Sequence, residues 1–257
     1  MSRTLAIGDI HGGFKALQQV LERIDLQEND ELIFLGDYVD GWSESAQVIE
    51  YLIQLGKSYK CVFIKGNHDA WCEKWLAGLK ADPIWLMHGG QETVDSYAGF
   101  SEEQKRAHLT FFNSMPMYHL SEEQRLFVHA GFTSMHGVER ESHETNFYKD
   151  RTLWEMALVA DRSIETSSHY YPNRLKHYKE IYIGHTPTLR YNSFEPMQAL
   201  NVFNVDTGAA FFGRLSAIDI HSKEVFQSDA VEQLYADEKG RNSQSYNAKK
   251  AAQPGEL

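Results

Sequence analysis

Five short runs of acidic, amide and imidazole residues stand out along the chain. They are Gly8-Asp9-Ile10-His11-Gly12, Gly36-Asp37-Tyr38-Val39-Asp40-Gly41, Gly66-Asn67-His68-Asp69, His129-Ala130-Gly131 and Gly184-His185-Thr186. Carboxylates, imidazoles and one neutral amide form a donor set suited to Mn, Fe or Zn, whereas Ca and Mg are poorly served by several imidazoles. Neither cysteine lies in these runs, which argues against a structural zinc site. The glycines leave room for tight turns and for close approach of an ion and its substrate. One Asp-x-His or one His-Ala-Gly means little alone. Five in series, each directly after an apolar run, argue for a shared two-metal site.

The apolar runs are the elements that must position those residues. "TLAI" 4–7, "ELIFL" 31–35, "CVFI" 61–64, "RLFVH" 125–129, "EIYI" 180–183 and "LNVFNV" 200–205 read as strands covered on both faces. Between the first two, Phe14, Leu17, Val20, Leu21 and Ile24 fall on one face of a helix. "SAQVIEYLIQLG" 45–56 reads as a second helix stopped by Gly56 at its C′ position. The first 65 residues therefore predict β-α-β-α-β with parallel strands and right-handed crossovers. In such a sheet the carboxyl ends of the strands gather along one edge, where ligands bind. Residues 70–120 read as helix-rich, and 201–227 as late strands around a turn at "DTGAAFFGR". "SEEQ" occurs twice: at 101–104 it fits a capping box, and at 121–124 it reads as a turn.

The series GDIHG, GDYVDG, GNHD, HAG and GHT resembles the calcineurin-like metallophosphoesterases, and within them the bacterial branch of the phosphoprotein phosphatases. The likeness runs from residue 5 to about 227 and includes "GGQETVDSY" 89–97 and "DTGAAFFGRL" 206–215. It implies an α/β fold, a single-domain four-layer α/β/β/α sandwich of two mixed sheets. It implies that Asp9 and His11 bind a first metal, that Asp37 bridges two, and that Asn67, His129 and His185 complete the second. His68 would be the general acid and Asp40 its orienting carboxylate. The implied reaction is in-line attack on phosphorus by a metal-bridging hydroxide, with Mn2+ the expected pair and Fe or Zn the alternatives. Phosphoserine or phosphothreonine in a protein is the first substrate expected. A dinucleoside polyphosphate, as in the related bacterial tetraphosphatases, is the alternative, and a non-catalytic metal-binding scaffold is the remote one.

One position departs from the pattern. Family phosphatases usually read GDxxDRG, and here Asp40 is followed by Gly41-Trp42. The missing arginine would be a bidentate phosphate clamp. Arg151, between the HAG and GHT runs, is the expected replacement and joins Asn67 as a substrate-binding residue; Arg162 and Arg190 are weaker candidates. Trp42 is open to two readings, core packing or a stacking wall. His88 beside Gly89-Gly90 is a candidate for the cleft, and the other histidines outside the motifs read as structural or surface residues.

Bulk properties bound the rest. At 257 residues, residues 1–236 can form one catalytic domain, and the polar segment 237–257 reads as a flexible tail. A formal net charge of −11 argues against an extended nucleic-acid surface. No apolar run approaches the roughly 20 residues that span a bilayer. Two cysteines and a strand within the first residues, leaving no room for a secretory leader, point to a cytoplasmic protein.

Overall fold

The computed structural model describes residues 3–242. The opening alternation is present: β1 (Thr4–Ile7), α1 (Phe14–Ile24), β2 (Glu31–Phe34), α2 (Ser45–Ser58) and β3 (Lys60–Phe63). These strands pair in parallel, Leu5 opposite Leu32 and Leu32 opposite Cys61, because each helix carries the chain back to the strand's starting edge. A helix-rich stretch leads on into β4 (Tyr118–Leu120), β5 (Arg125–Val128), β6 (Glu180–Ile183), β7 (Met197–Ala199) and β8 (Val202–Asn204). These form a second sheet in the order β4-β5-β6-β8-β7. β5, β6 and β8 run parallel, with antiparallel β4 and β7 at the edges. The chain then returns through β9 (Ser216–Asp219) and β10 (Val225–Gln227) to complete the first sheet, β10-β9-β1-β2-β3.

Two mixed sheets thus face each other. Ala6, Ile33 and Leu35 from one meet Phe127, Tyr182 and Phe203 from the other. Phe127, Tyr182 and Phe203 stack in a ladder with ring centres 5.0 Å apart. α1 and α2 cover the outer face of the first sheet through Leu17, Val20, Ile24, Val48, Ile49 and Leu52. The helix Thr152–Val159 covers the second through Leu153, Trp154 and Ala157. The result is the expected α/β/β/α stack, and burial of both strand faces explains why the strands read as apolar runs.

Three local readings can be set against the structure. Ser101 Oγ accepts from Gln104 N–H, and Gln104 Oε1 accepts from Ser101 N–H, so the first SEEQ is a capping box. The second is a turn, with Gln124 at φ +59°. Gly56 does not stop α2, which continues to Ser58. A Cβ there would lie 3.1 Å from the Phe63 ring, so the glycine serves close helix–strand packing and the backbone continues its hydrogen bonds through it.

The expected boundary at residue 236 does not detach the residues just beyond it. Glu238 accepts from Ser43 N–H (3.0 Å) and Ser43 Oγ–H (2.7 Å). Gly240 lies so close to Trp42 that an added Cβ would be 2.6 Å from its ring. The remainder of the expected tail, 243–257, lies outside the described residues. Among those described, no helix is long and apolar enough to cross a membrane.

Phe127 is fully buried between the sheets. Phe127→Ala should therefore lower stability by about 3–5 kcal/mol. The change should appear as a lower urea midpoint with an unchanged slope; a shift worth under about 1 kcal/mol would contradict a shared inter-sheet core.

Candidate metal centre

The turns after β1, β2, β3, β5 and β6 converge, and backbone groups fix how their side chains point. His11 Nδ1–H is held by the carbonyls of Val39 (3.1 Å) and Asp40 (3.0 Å). His129 Nδ1–H is held by the carbonyl of Leu35 (2.8 Å). A carbonyl only accepts, so each ring carries a proton on Nδ1 and turns Nε2 toward the carboxylates, the nitrogen that could ligate an ion. His11 Nε2 lies 3.8 Å from Asp9 Oδ2 and 3.7 Å from Asp37 Oδ2. His129 Nε2 lies 3.3 Å from Asp37 Oδ2 and 3.3 Å from Asn67 Oδ1. Donors sharing one ion at bonds near 2.1 Å stand roughly 3–3.5 Å apart, so these gaps are close to cation-sized.

Two donor groups emerge, each with its ligand atoms within 4.8 Å of one another: His11, Asp37 and His68, and Asp37, His129 and His185. Asp37 belongs to both. Asp9 sits beside the first, its carboxylate accepting the His185 N–H at 3.1 Å and so linking β1 to β6 across the sheets. His68 thus belongs to the first group and is also the partner of Asp40. Gly184 allows the Asp9 crossing, because a Cβ there would stand 2.1 Å from Asp9 Oδ1. Four site residues, His11, Asp37, Asp40 and His185, have positive φ, a strained state for L-residues that concentrates at functional sites.

Asp40 and His68 are joined by a 2.5 Å hydrogen bond between Oδ2 and Nδ1. Two residues not singled out by the motifs hold Asp40: Trp85 Nε1–H donates to Oδ2 and Thr93 Oγ1–H to Oδ1, both at 2.6 Å. Burial pushes the Asp40 carboxyl up to about 8 and the His68 imidazole down to about 3, so burial favours a pair that is neutral as a whole. Asp69 is a third supporting residue. It accepts from Asp37 N–H (2.8 Å), Tyr38 N–H (2.9 Å) and Gly66 N–H (2.8 Å), tying the β2 turn to the start of the helix α3 (Asn67–Leu76). Its signal in the sequence was an acid at the third helical position after a glycine.

Charge is dense and buried. Burial pushes Asp37 up, and His129, His68 and His11 outweigh it and hold its carboxyl well below the usual range. Burial, then Asp206, raises Asp9, and Asp206 itself is pushed up to about 6 by burial. Carboxylates gathered out of water in this way suit divalent cations.

Above the donors lies a cleft of about 200 Å³. Arg151, Arg190 and Arg241 line it, together with Trp71, His88, Phe211 and Asp206. Arg151 Nη1–H donates to the His185 carbonyl (3.1 Å) and Thr186 Oγ1 (2.8 Å), which ties it to the second group. Arg162 is exposed elsewhere. Trp42 is core: it is fully buried, donates to the Ala209 carbonyl (2.7 Å) and stacks on Tyr235 at 5.1 Å. His88 stacks on Trp71 at 6.4 Å. Buried His108, bonded to Tyr97 and Glu50, is structural.

Comparison with known proteins agrees with this geometry. The family profile described as Calcineurin-like phosphoesterase matches residues 2–213. The chain is 29% identical over 253 residues to the bis(5'-nucleosyl)-tetraphosphatase PrpE [asymmetrical] of Oceanobacillus iheyensis, covering 91% of this chain and 94% of that protein. It is also 29% identical over 240 residues to the Bacillus cereus protein of the same name, covering 85% and 91%. A protein serine/threonine phosphatase from Saccharomyces cerevisiae shares the fold, with a TM-score of 0.58 at 12% identity over 89% of this chain and 80% of that one.

Gly184→Ala should displace the Asp9 carboxylate without disturbing the sheets. Calorimetric titration with Mn2+ should then show affinity lowered about 10- to 100-fold, the usual cost of disturbing a ligand's support. Wild-type affinity in the folded variant would remove Asp9 from the ion-binding set.

Proposed function

The chain belongs to the calcineurin-like phosphoesterase family, and on that premise we propose that it is a two-metal hydrolase of dinucleoside polyphosphates. The observation that carries the nucleotide reading is the cleft wall, where three guanidiniums and the rings of Trp71, His88 and Phe211 surround the donors. Several cations fit a chain of phosphates, and ring faces fit a nucleobase. The relatives' names point the same way. The phosphoprotein substrate expected first from the motifs has no comparable feature of the cleft in its favour.

In this reading Asp9 and His11 would help hold one ion, Asn67, His129 and His185 the other, and Asp37 would serve both, with Mn2+ the proposed pair. The ions, when bound, neutralise phosphoryl oxygens and acidify a water. The chain's own groups do the rest. Asn67 and Arg151 orient the phosphoryl group. His68, whose Nδ1 is taken by Asp40, offers Nε2 to the departing oxygen. Trp85 and Thr93 keep Asp40 from turning away. Both cysteines are free, which suits a reducing compartment, and the cytoplasm is the proposed location.

Substrate class is tested by comparing diadenosine tetraphosphate with a phosphoserine peptide at equal concentrations of Mn2+-loaded enzyme. Preferential turnover of the nucleotide is expected, and preference for the peptide would restore the phosphoprotein reading. The role of His68 is tested separately with His68→Asn on two aryl esters. Turnover of phenyl phosphate, whose leaving phenol has a pKa of about 10 as tyrosine does, should fall by roughly 10²–10⁴-fold. The loss on p-nitrophenyl phosphate should be smaller, because its leaving group is more acidic. Equal losses on both would remove His68 as the proton donor.

A further inference from the structure

Position 41 is glycine where the resemblance leads one to expect a clamping arginine, and the structure shows what occupies that space. Gly41 adopts φ +118°, a conformation an arginine could take only under strain. The aliphatic stem of Arg241 lies against it, so that a Cβ on Gly41 would meet Arg241 Cγ at 3.3 Å and Cδ at 3.5 Å. The Arg241 N–H donates to the Ala210 carbonyl (2.9 Å). Its guanidinium carbon stands 5.5 Å from the centre of the Phe211 ring and lines the cleft above the donor groups. Among the described residues, no carboxylate lies within 4.0 Å of this guanidinium.

We propose that Arg241 is the phosphate clamp of this site, delivered by the segment after residue 236 rather than by the loop after β2. It stands on the His11 side of the cleft, since the same Gly41 Cβ would lie 3.4 Å from the His11 carbonyl. Arg151 stands on the His185 side. A phosphoryl group above the donors is therefore gripped from two directions. Delivery depends on a docked backbone. Glu238 is held by Ser43, Gly240 passes over the Trp42 ring at φ +55°, and Tyr235 stacks on the same ring. A planar fork with five N–H donors suits a phosphate, and a lysine would supply only a point charge. The proposal needs phosphoester chemistry alone, so it stands whether the natural substrate is a nucleotide or a phosphoprotein.

The test uses the full chain loaded with Mn2+, p-nitrophenyl phosphate as substrate and orthophosphate as competitive inhibitor. In Arg241→Ala both KM and the orthophosphate inhibition constant should rise about 10- to 100-fold, as expected for loss of charge-assisted hydrogen bonds. Affinity for Mn2+, measured by calorimetry, should stay within about twofold, which separates lost phosphate binding from a damaged metal site. Arg241→Lys should recover only part of the loss. Gly240→Val, strained at that φ and blocked by Trp42, should undock the segment and raise KM in parallel, with circular dichroism verifying the fold. KM and orthophosphate inhibition within about twofold of wild type in Arg241→Ala would overturn the proposal, as would a fall in kcat alone.

Discussion

The placement of one carboxylate, that of Asp37, is the constraint on which the site depends. Among the described residues it is the donor common to both groups of prospective ligands. Its surroundings tie together four strands that come from distant parts of the chain. The Asp37 carbonyl accepts from Ile10 N–H and His11 N–H in the turn after β1, both at 3.0 Å. Its own N–H is taken by Asp69 from α3, and its Oδ1 accepts the His68 N–H at 2.9 Å. Its Oδ2 faces His129 from the second sheet. The backbone reaches this geometry at φ +55°, a cost of order 1–3 kcal/mol that the surrounding hydrogen bonds must offset. Gly66 is required for the same reason, since a Cβ there would stand 2.2 Å from Asp37 Oδ1.

The buried carboxylates are not equally satisfied, and the difference indicates what each is for. Asp69 receives three backbone N–H groups, and Asp40 receives Trp85, Thr93 and His68. Those two are structural anchors whose lone pairs are already used. Among the described residues, Asp9 accepts from the His185 N–H alone, and Asp206 from the Gly208 N–H. Burial pushes all four carboxyls upward, so the hydrogen bonds each one receives, not the shift, separate the two pairs. A cation inverts that balance. Ions bound to the folded chain and not to the unfolded one would also add to stability by mass action.

How much of this was legible depends on range. The strands and first two helices are written in local apolar patterns, and the donor residues betray themselves by recurring at strand ends. Thus Asp9, His11, Asp37, Asn67, His129 and His185 could be named before their convergence was seen. Gly56 misled because a glycine near a helix end usually signals a stop, and only the approach of Phe63 from β3 explains it as packing. Trp85 carried no signal, and Thr93 lay in the resembling segment 89–97 without a role assigned to it, since their contacts with Asp40 span 45 and 53 residues. Trp42 had two readings until the Ala209 carbonyl and Tyr235, both far along the chain, settled it in the core.

That last contact explains why the motif series fixes the chemistry more firmly than the substrate. The candidate metal donors lie at or just beyond strand ends, so the sheets dictate their positions. The cleft walls have no such common origin. Arg151 enters beside the helix Thr152–Val159, Arg190 from the turn after β6, and Arg241 from a segment docked on Trp42. Where the resemblance leads one to expect an arginine, Gly41 leaves room for the Arg241 stem, and Trp42 supplies the ring on which the later segment lies. The Arg241 side of the cleft thus depends on the packing of that segment on Trp42, which a search for ligand motifs cannot register.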